Sequence, residues 1–184
     1  MRGLGDRGEK RHGVGVARIG KDLVGRPALD QVAERMLSGK GPDPVALELM
    51  DPASPTRLIA EMAGATGPTS TVSTACTSSS QAIGEGLLRI RRGEVDAMVV
   101  GGVDVLVDVI MLTGFAKLGA LSQRNDEPTA ASRPFDMNRD GFVLGEGAGV
   151  LVIEAWERAV ARGATILAEV SGYGCSCNAY RITD

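Results

Sequence analysis

Histidine occurs once in this chain of 184 residues, at His12, and aromatic side chains make up only 3% of it. Acid–base chemistry near neutral pH commonly relies on imidazole, so little of that chemistry is open to this chain. The three cysteines and the lack of a signal-peptide pattern fit a reducing, cytoplasmic setting. No apolar run approaches the ~20 residues needed to cross a bilayer. The formal charge of −3 leaves no basic footprint, which argues against a nucleic-acid partner. Basic residues do gather near the start, at Arg2, Arg7, Lys10, Arg11, Arg18 and Lys21. They read first as a solvated tail and second as a phosphate contact. What the chain has in quantity is glycine, 25 residues, which suits close backbone packing and tight turns.

Strand and helix signals alternate along the chain. “HGVGVARIG” predicts a short strand and a glycine turn. Pro27 to Leu37 reads as a helix, with Leu29, Val32, Ala33 and Met36 on one face and Gly39 as its stop. Ser54 and Pro55 are expected as N-cap and first residue of a second helix. That helix should bury Leu58, Ile59 and Met62 and end at Gly64 and Gly67. A strand then runs to about Ala75. The next helix carries Ala82, Ile83, Leu87 and Ile90 at helical spacing and closes at “RRGE”. “DAMVVGG” and “GVLVIE” predict buried strands, “AWERAVARG” a helix and “TILAEVSGYG” a last strand. Val103 to Leu118 fits either helix or irregular structure, and Ser122 to Asp140 a polar loop. The alternation indicates an α/β layered architecture, with residues 1–184 as a single partial domain. The last strand has no capping helix after it, so a partner chain or the remainder of a larger fold is expected to cover the sheet.

One stretch calls for chemistry. In “STVSTACTSSSQAIGEG” a lone cysteine, Cys76, stands between a β-branched run and a helical pattern. The thiolate is the reactive form, and a helix N-terminus favours it. The same N–H groups stabilise an oxyanion. Small neighbours, Ala75, Thr77, Ser78 and Ser79, permit a sharp turn and leave room for a thioester. A small buried cysteine without chemical consequence is the competing reading.

“GPTSTVSTACTSSSQAIGEG” resembles the active-site segment of elongating β-ketoacyl-[acyl-carrier-protein] synthases of fatty acid and polyketide synthesis. The likeness continues in order through “GEVDAMVVGGVD”, “LTGFAKLGALSQRND”, “ASRPFDMNRDGFVLGEGAGVLVIE” and “RGATILAEVSGYG”. It covers most of the chain after Pro55 and is weaker before it. The resemblance implies a thiolase-like fold, mainly its N-terminal half, in a chain truncated at both ends relative to the family. It implies an acyltransferase in which Cys76 accepts an acyl group from an acyl carrier protein. Malonyl carrier protein then loses carbon dioxide and attacks that thioester. It implies phosphopantetheine-bound acyl and malonyl groups as substrates, no bound cofactor or metal, and a dimer formed through the strand before Cys76. Phe115 of “TGF” and Phe142 of “DGF” match positions near the acyl pocket; ordinary core packing is the other reading of both.

The likeness breaks at the chain end. A family segment like “SDAYHMT” reads “CNAYRIT” here, placing Arg181 at the position of an active-site histidine. The second histidine, a lysine and a glycine–phenylalanine turn of the family are absent from this chain. Arginine donates hydrogen bonds but stays charged and cannot shuttle a proton. Acyl transfer without condensation is therefore expected of the chain alone. A non-catalytic scaffold beside a complete synthase is the rival, and a thioesterase-like use of Cys76 a third reading that lacks a base. Cys175 and Cys177 offer two thiols where zinc wants four ligands. “GGVD” and “GEGAG” read as glycines that pack strands closely, and “RPFDMNRDGF” as an ion-pair network fixing a loop.

Overall fold

A computed structural model describes the backbone of residues 12–18, residues 34, 35, 37–41 and 44, and residues 51–180. Arg181, most of the basic N-terminal cluster and the start of the Pro27 helix lie outside the described residues. Of that helix the end is described: Glu34, Arg35 and Leu37 are helical and Gly39 turns left-handed at φ 71°.

The described elements run β1 (His12–Arg18), α1 (Ser54–Met62), β2 (Thr69–Val72), α2 (Ser78–Arg91), β3 (Ala97–Val105), α3 (Val109–Lys117), β4 (Glu146–Glu154) and α4 (Trp156–Ala161). Single 3-10 turns occupy Ala75–Thr77 and Pro128–Ala130. The strands form a sheet in the order β2-β1-β3-β4. β1 and β2 pair in parallel, Val14 opposite Thr69 and Ala17 opposite Val72. This is the α/β arrangement that the alternating pattern predicts.

Two compact units divide the chain. One holds β1, residues 52–102 and residues 149–180; the other is described over residues 103–148 and a few positions between 34 and 44. In the first, α1 and α2 pack on β1 and β2. Its core gathers Val95, Met98 and Val100 with Ile83 and Ile90 of α2 and Ile153 of β4. Gly86 makes that packing possible: a Cβ there would lie 2.8 Å from both Val100 and Ile153. Gly101 lies against the Gly149 carbonyl with no room for a side chain and so packs strands closely as expected, whereas a Cβ at Gly145, Gly147 or Gly149 would meet open space. An ion-pair cluster ties α4 to the strands: Arg158 bonds Asp96 and Glu154 at 2.9 Å, and Arg162 bonds Glu154 at 2.8 Å.

Five expectations need correction. Ser54 is the first helical residue of α1, not its N-cap; Ala53 precedes it without a side-chain cap. The α1 face that is buried carries Pro55, Thr56 and Ala60; of the expected side Ile59 is half-buried against Ala60, while Leu58 and Met62 are 57% and 79% exposed. The small face wins because Thr56 bonds Thr71 of β2 at 2.7 Å, drawing the helix close. β2 stops at Val72, because the chain must turn before Cys76. β4 forms as predicted, but Val150, Leu151 and Val152 are exposed. “TILAEVSGYG” is not a strand: residues 164–179 have no regular structure, and Leu167 is 92% exposed. A strand needs a neighbouring ladder, and none of the described strands pairs with this segment. The ambiguous stretch from Val103 resolves into the end of β3 and α3, whose N-cap Asp108 accepts from the N–H groups of Ile110 and Met111.

Candidate active site

Cys76 sits in the 3-10 turn between β2 and α2, and it is exposed. The expectation that it stands at the helix N-terminus is met with an offset: α2 begins two residues later, at Ser78. The turn is sharp because Ala75 adopts φ 52°. This left-handed conformation costs an L-residue about 1–2 kcal/mol. Surrounding hydrogen bonds hold it. The Thr74 N–H donates to Ser78 Oγ at 2.7 Å, and Ser78 Oγ donates to the Ala75 carbonyl at 2.7 Å. Thr77 Oγ1 donates to the Thr74 carbonyl at 2.8 Å, and Thr74 Oγ1 to Gln81 at 3.1 Å. The result is a rigid elbow that carries an exposed thiol at its tip.

Phe115 and Phe142 meet within the second unit. Their rings lie 6.4 Å apart, edge to face at 79°. Such a geometry places a ring edge against the electron-rich face. Phe115 comes from α3 and is half-buried; Phe142 is 63% exposed. Gly141 positions Phe142 at φ 144°, where a Cβ would come within 2.5 Å of the Leu121 carbonyl carbon. Bridging bonds then fix the segment: Phe142 N–H donates to Ala120 at 2.7 Å, and Ser122 N–H to Phe142 at 2.9 Å.

The polar loop before Phe142 is braced by the expected ionic network. Asp140 accepts from Ser122 Oγ at 2.8 Å, from the Gln123 N–H at 3.1 Å and from Arg133 at 2.9 Å. The Ser122 hydrogen bond, with the Gln123 N–H and the Arg133 charge behind it, holds the Asp140 carboxyl below its ordinary range. Arg133 also donates to the carbonyls of Ala130, Ala131 and Asn138. Arg139 departs from the expected pairing and donates to the Asp136 carbonyl oxygen instead of a carboxylate. Further along, burial pushes the Tyr173 phenol up, reinforced by its contact with Cys175.

The structure thus brings Phe115 and Phe142 together in one unit and sets Cys76 in the other. Sequence reading counted Ala75 and Ser78 among small neighbours that permit a sharp turn, but missed the left-handed φ of the first and the buried hydrogen bonds of the second. Nothing in the composition of an alanine announces a left-handed residue, and Ser78 is one of four consecutive hydroxyl residues, Thr77 to Ser80. Among the described residues no group of three or more His, Cys, Asp or Glu could hold a metal.

Comparison with known families decides the class. The beta-ketoacyl synthase N-terminal domain matches residues 30–159. The chain belongs to the beta-ketoacyl synthase family. It is 42% identical to 3-oxoacyl-[acyl-carrier-protein] synthase 2 of Vibrio cholerae, over all of this chain and 46% of that protein. Among solved structures it is similar to a type II polyketide ketosynthase, bound to a hexaketide and in complex with its acyl-carrier protein. That match has a TM-score of 0.83 at 32% identity and covers 95% of this chain and 44% of the other. It is also similar to the ishigamide ketosynthase/chain length factor, with a TM-score of 0.78 at 35% identity, over 93% of this chain and 41% of that one. The fold class is therefore the thiolase-like α/β fold of ketosynthases. The chain spans less than half the length of the curated relatives it matches.

Proposed function

We propose that this beta-ketoacyl synthase chain is an acyltransferase that holds an acyl group as a thioester on Cys76. The observation that carries the reading is the exposed thiol at the tip of a braced, left-handed elbow leading into a helix. The Cys76 thiolate attacks the acyl carbonyl carbon of a phosphopantetheine thioester, and the carrier thiolate leaves. Holding the chain covalently divides a difficult condensation into two easier steps. In the full condensation, which the chain is not expected to complete alone, malonyl-carrier loses carbon dioxide, its carbanion attacks the Cys76 thioester, and the Cys76 thiolate leaves. The product is a β-ketoacyl chain two carbons longer. The partner is an acyl carrier protein, together with a second copy or a ketosynthase partner chain. Phe115 and Phe142 contact the acyl chain. The setting is cytoplasmic; among the described residues no helix is long and apolar enough to cross a membrane. Residues 1–184 form part of one ketosynthase domain.

Arg181 at a histidine position favours acyl transfer alone over full condensation in this chain. The scaffold reading draws on the same substitution and on the likeness to a ketosynthase/chain length factor. The exposed Cys76 thiol favours transfer. Incubation with an acyl-carrier thioester, followed by mass-spectrometric mapping, tests the choice. An adduct on Cys76 is expected; acylation of Cys175 or Cys177 in its place, or none, would remove the reading.

A further inference from the structure

The elbow depends on a residue that touches no substrate. We propose that the buried hydroxyl of Ser78 is a positioning residue for Cys76, holding Ala75 in the left-handed conformation that presents the thiol. The proposal rests on the reading of Cys76 as nucleophile. Of the four hydroxyl residues Thr77 to Ser80, Ser78 is the one that is buried, at 0% exposure. Its oxygen accepts from the Thr74 N–H and its hydroxyl donates to the Ala75 carbonyl, each at 2.7 Å. The Thr74 N–H lies before Ala75 and the Ala75 carbonyl after it, on the side leading to Cys76. A single hydroxyl thus brackets Ala75, a residue held at positive φ without the freedom of glycine. Without it the Thr74 N–H loses this acceptor, and the Ala75 carbonyl keeps only the Ser78 backbone N–H, which does not reach back to Thr74 N–H. The residue is then free to relax toward the right-handed region, rotating the peptide that carries Cys76.

The test uses the 184-residue chain and iodoacetamide, with the alkylation rate of each cysteine read from its own peptide. Cys175 and Cys177 serve as internal references. Ser78→Ala is expected to slow Cys76 roughly three- to tenfold, the worth of one or two hydrogen bonds, with the reference rates unchanged. Ala75→Gly added to Ser78→Ala is expected to restore most of the lost rate, because glycine holds positive φ without a brace. A residue that merely fills space at position 78 would not be rescued by a change of backbone freedom at 75. An unchanged Cys76 rate in folded Ser78→Ala, or a slowed rate that Ala75→Gly fails to restore, overturns the proposal. If Ser78→Ala does not fold by circular dichroism, the double variant decides. Its folding with a near-normal Cys76 rate supports the clamp, and its failure to fold overturns it. Preferential alkylation of Cys175 or Cys177 in the unaltered chain defeats the nucleophile reading itself, before any variant is compared.

Discussion

The elbow at Thr74–Ser78 and the loop that ends at Phe142 solve the same problem by different physics. Each must force the backbone through positive φ to present one side chain, Ala75 at 52° before Cys76 and Gly141 at 144° before Phe142. The elbow uses short neutral hydrogen bonds centred on a buried hydroxyl. The loop uses a carboxylate and a guanidinium near the surface, Asp140 and Arg133; Arg133 also donates to backbone carbonyls and Asp140 accepts from the Gln123 N–H. Buried neutral bonds ignore salt and pH, whereas exposed ionic ones respond to both. The region proposed to carry the covalent step is thus the insensitive one, and the region proposed to shape the acyl pocket is the tunable one.

The sharpest separation is chemical. Cys76→Ala should abolish acyl-enzyme formation altogether, measured as carrier-derived adduct by mass spectrometry. Phe142→Ala should leave acylation intact and slow it for long acyl chains by roughly tenfold, the usual worth of lost apolar contact in a pocket. Equal loss from both changes would erase the distinction between a reacting region and a shaping one.

Backbone substitutions come next. Gly141→Ala introduces a Cβ 2.5 Å from the Leu121 carbonyl carbon and 2.6 Å from the Ser122 nitrogen, on a φ that alanine avoids. It should cost about 3 kcal/mol in urea unfolding, because neither neighbour can move without breaking the Phe142 bridge. Ala75→Val puts a β-branched residue at positive φ and should cost about 2 kcal/mol. Loss of Cys76 acylation should accompany the second change and not the first. A tolerated Gly141→Ala would mean that the ionic brace, not the glycine, sets the turn.

These positions also mark what the sequence could reveal. Elements announced by periodicity or punctuation are present: α2 with Ile83 and Ile90 inward, the glycine stops, and the Arg133–Asp140 loop. Which face is buried was harder to read. In α1 hydrophobicity pointed to Leu58 and Met62, but the helix packs by its small residues, since the Thr56–Thr71 bond requires close approach. β4 and the segment after Gly163 carry apolar patterns that would suit burial, yet Val152 and Leu167 are exposed, so pattern alone could not tell buried from exposed in either, nor strand from coil in the second. The place of Cys76 in a sharp turn before a helix was legible from its small neighbours. The strain at Ala75 and the clamp at Ser78 were not, because they depend on dihedral angles and burial that residue type does not encode.

Acid should separate the two regions. Asp140 has its carboxyl lowered from 3.8 by the Ser122 bond first, so its contribution is fully present above the unfolded value. That contribution is lost as pH falls through the lower folded value. Hydrogen exchange, corrected for intrinsic rates, should therefore show the Gln123 N–H losing protection as pH falls below the ordinary carboxylate range. The Thr74 N–H, bonded to a hydroxyl, should hold over the same range. Asp140→Asn should weaken the loop at neutral pH and remove this dependence. Simultaneous loss at both sites would indicate global unfolding and break the contrast.

The smallest effect should come from the most conspicuous charge pair. Arg124 and Glu127 join by a hydrogen bond that raises the guanidinium's value and lowers the carboxyl's. Both side chains are well exposed, and water and salt screen the attraction while two long side chains give up freedom. Arg133 differs in kind: it is more deeply set and donates to three carbonyls as well as to Asp140, so its bonds fix backbone and not only another side chain. Glu127→Gln should produce no resolvable change in Tm at moderate salt and no change in Gln123 protection, whereas Arg133→Gln should lower both. If Glu127→Gln loosened the loop as far as Asp140→Asn, charge density and not backbone anchoring would be what holds Phe142 in place.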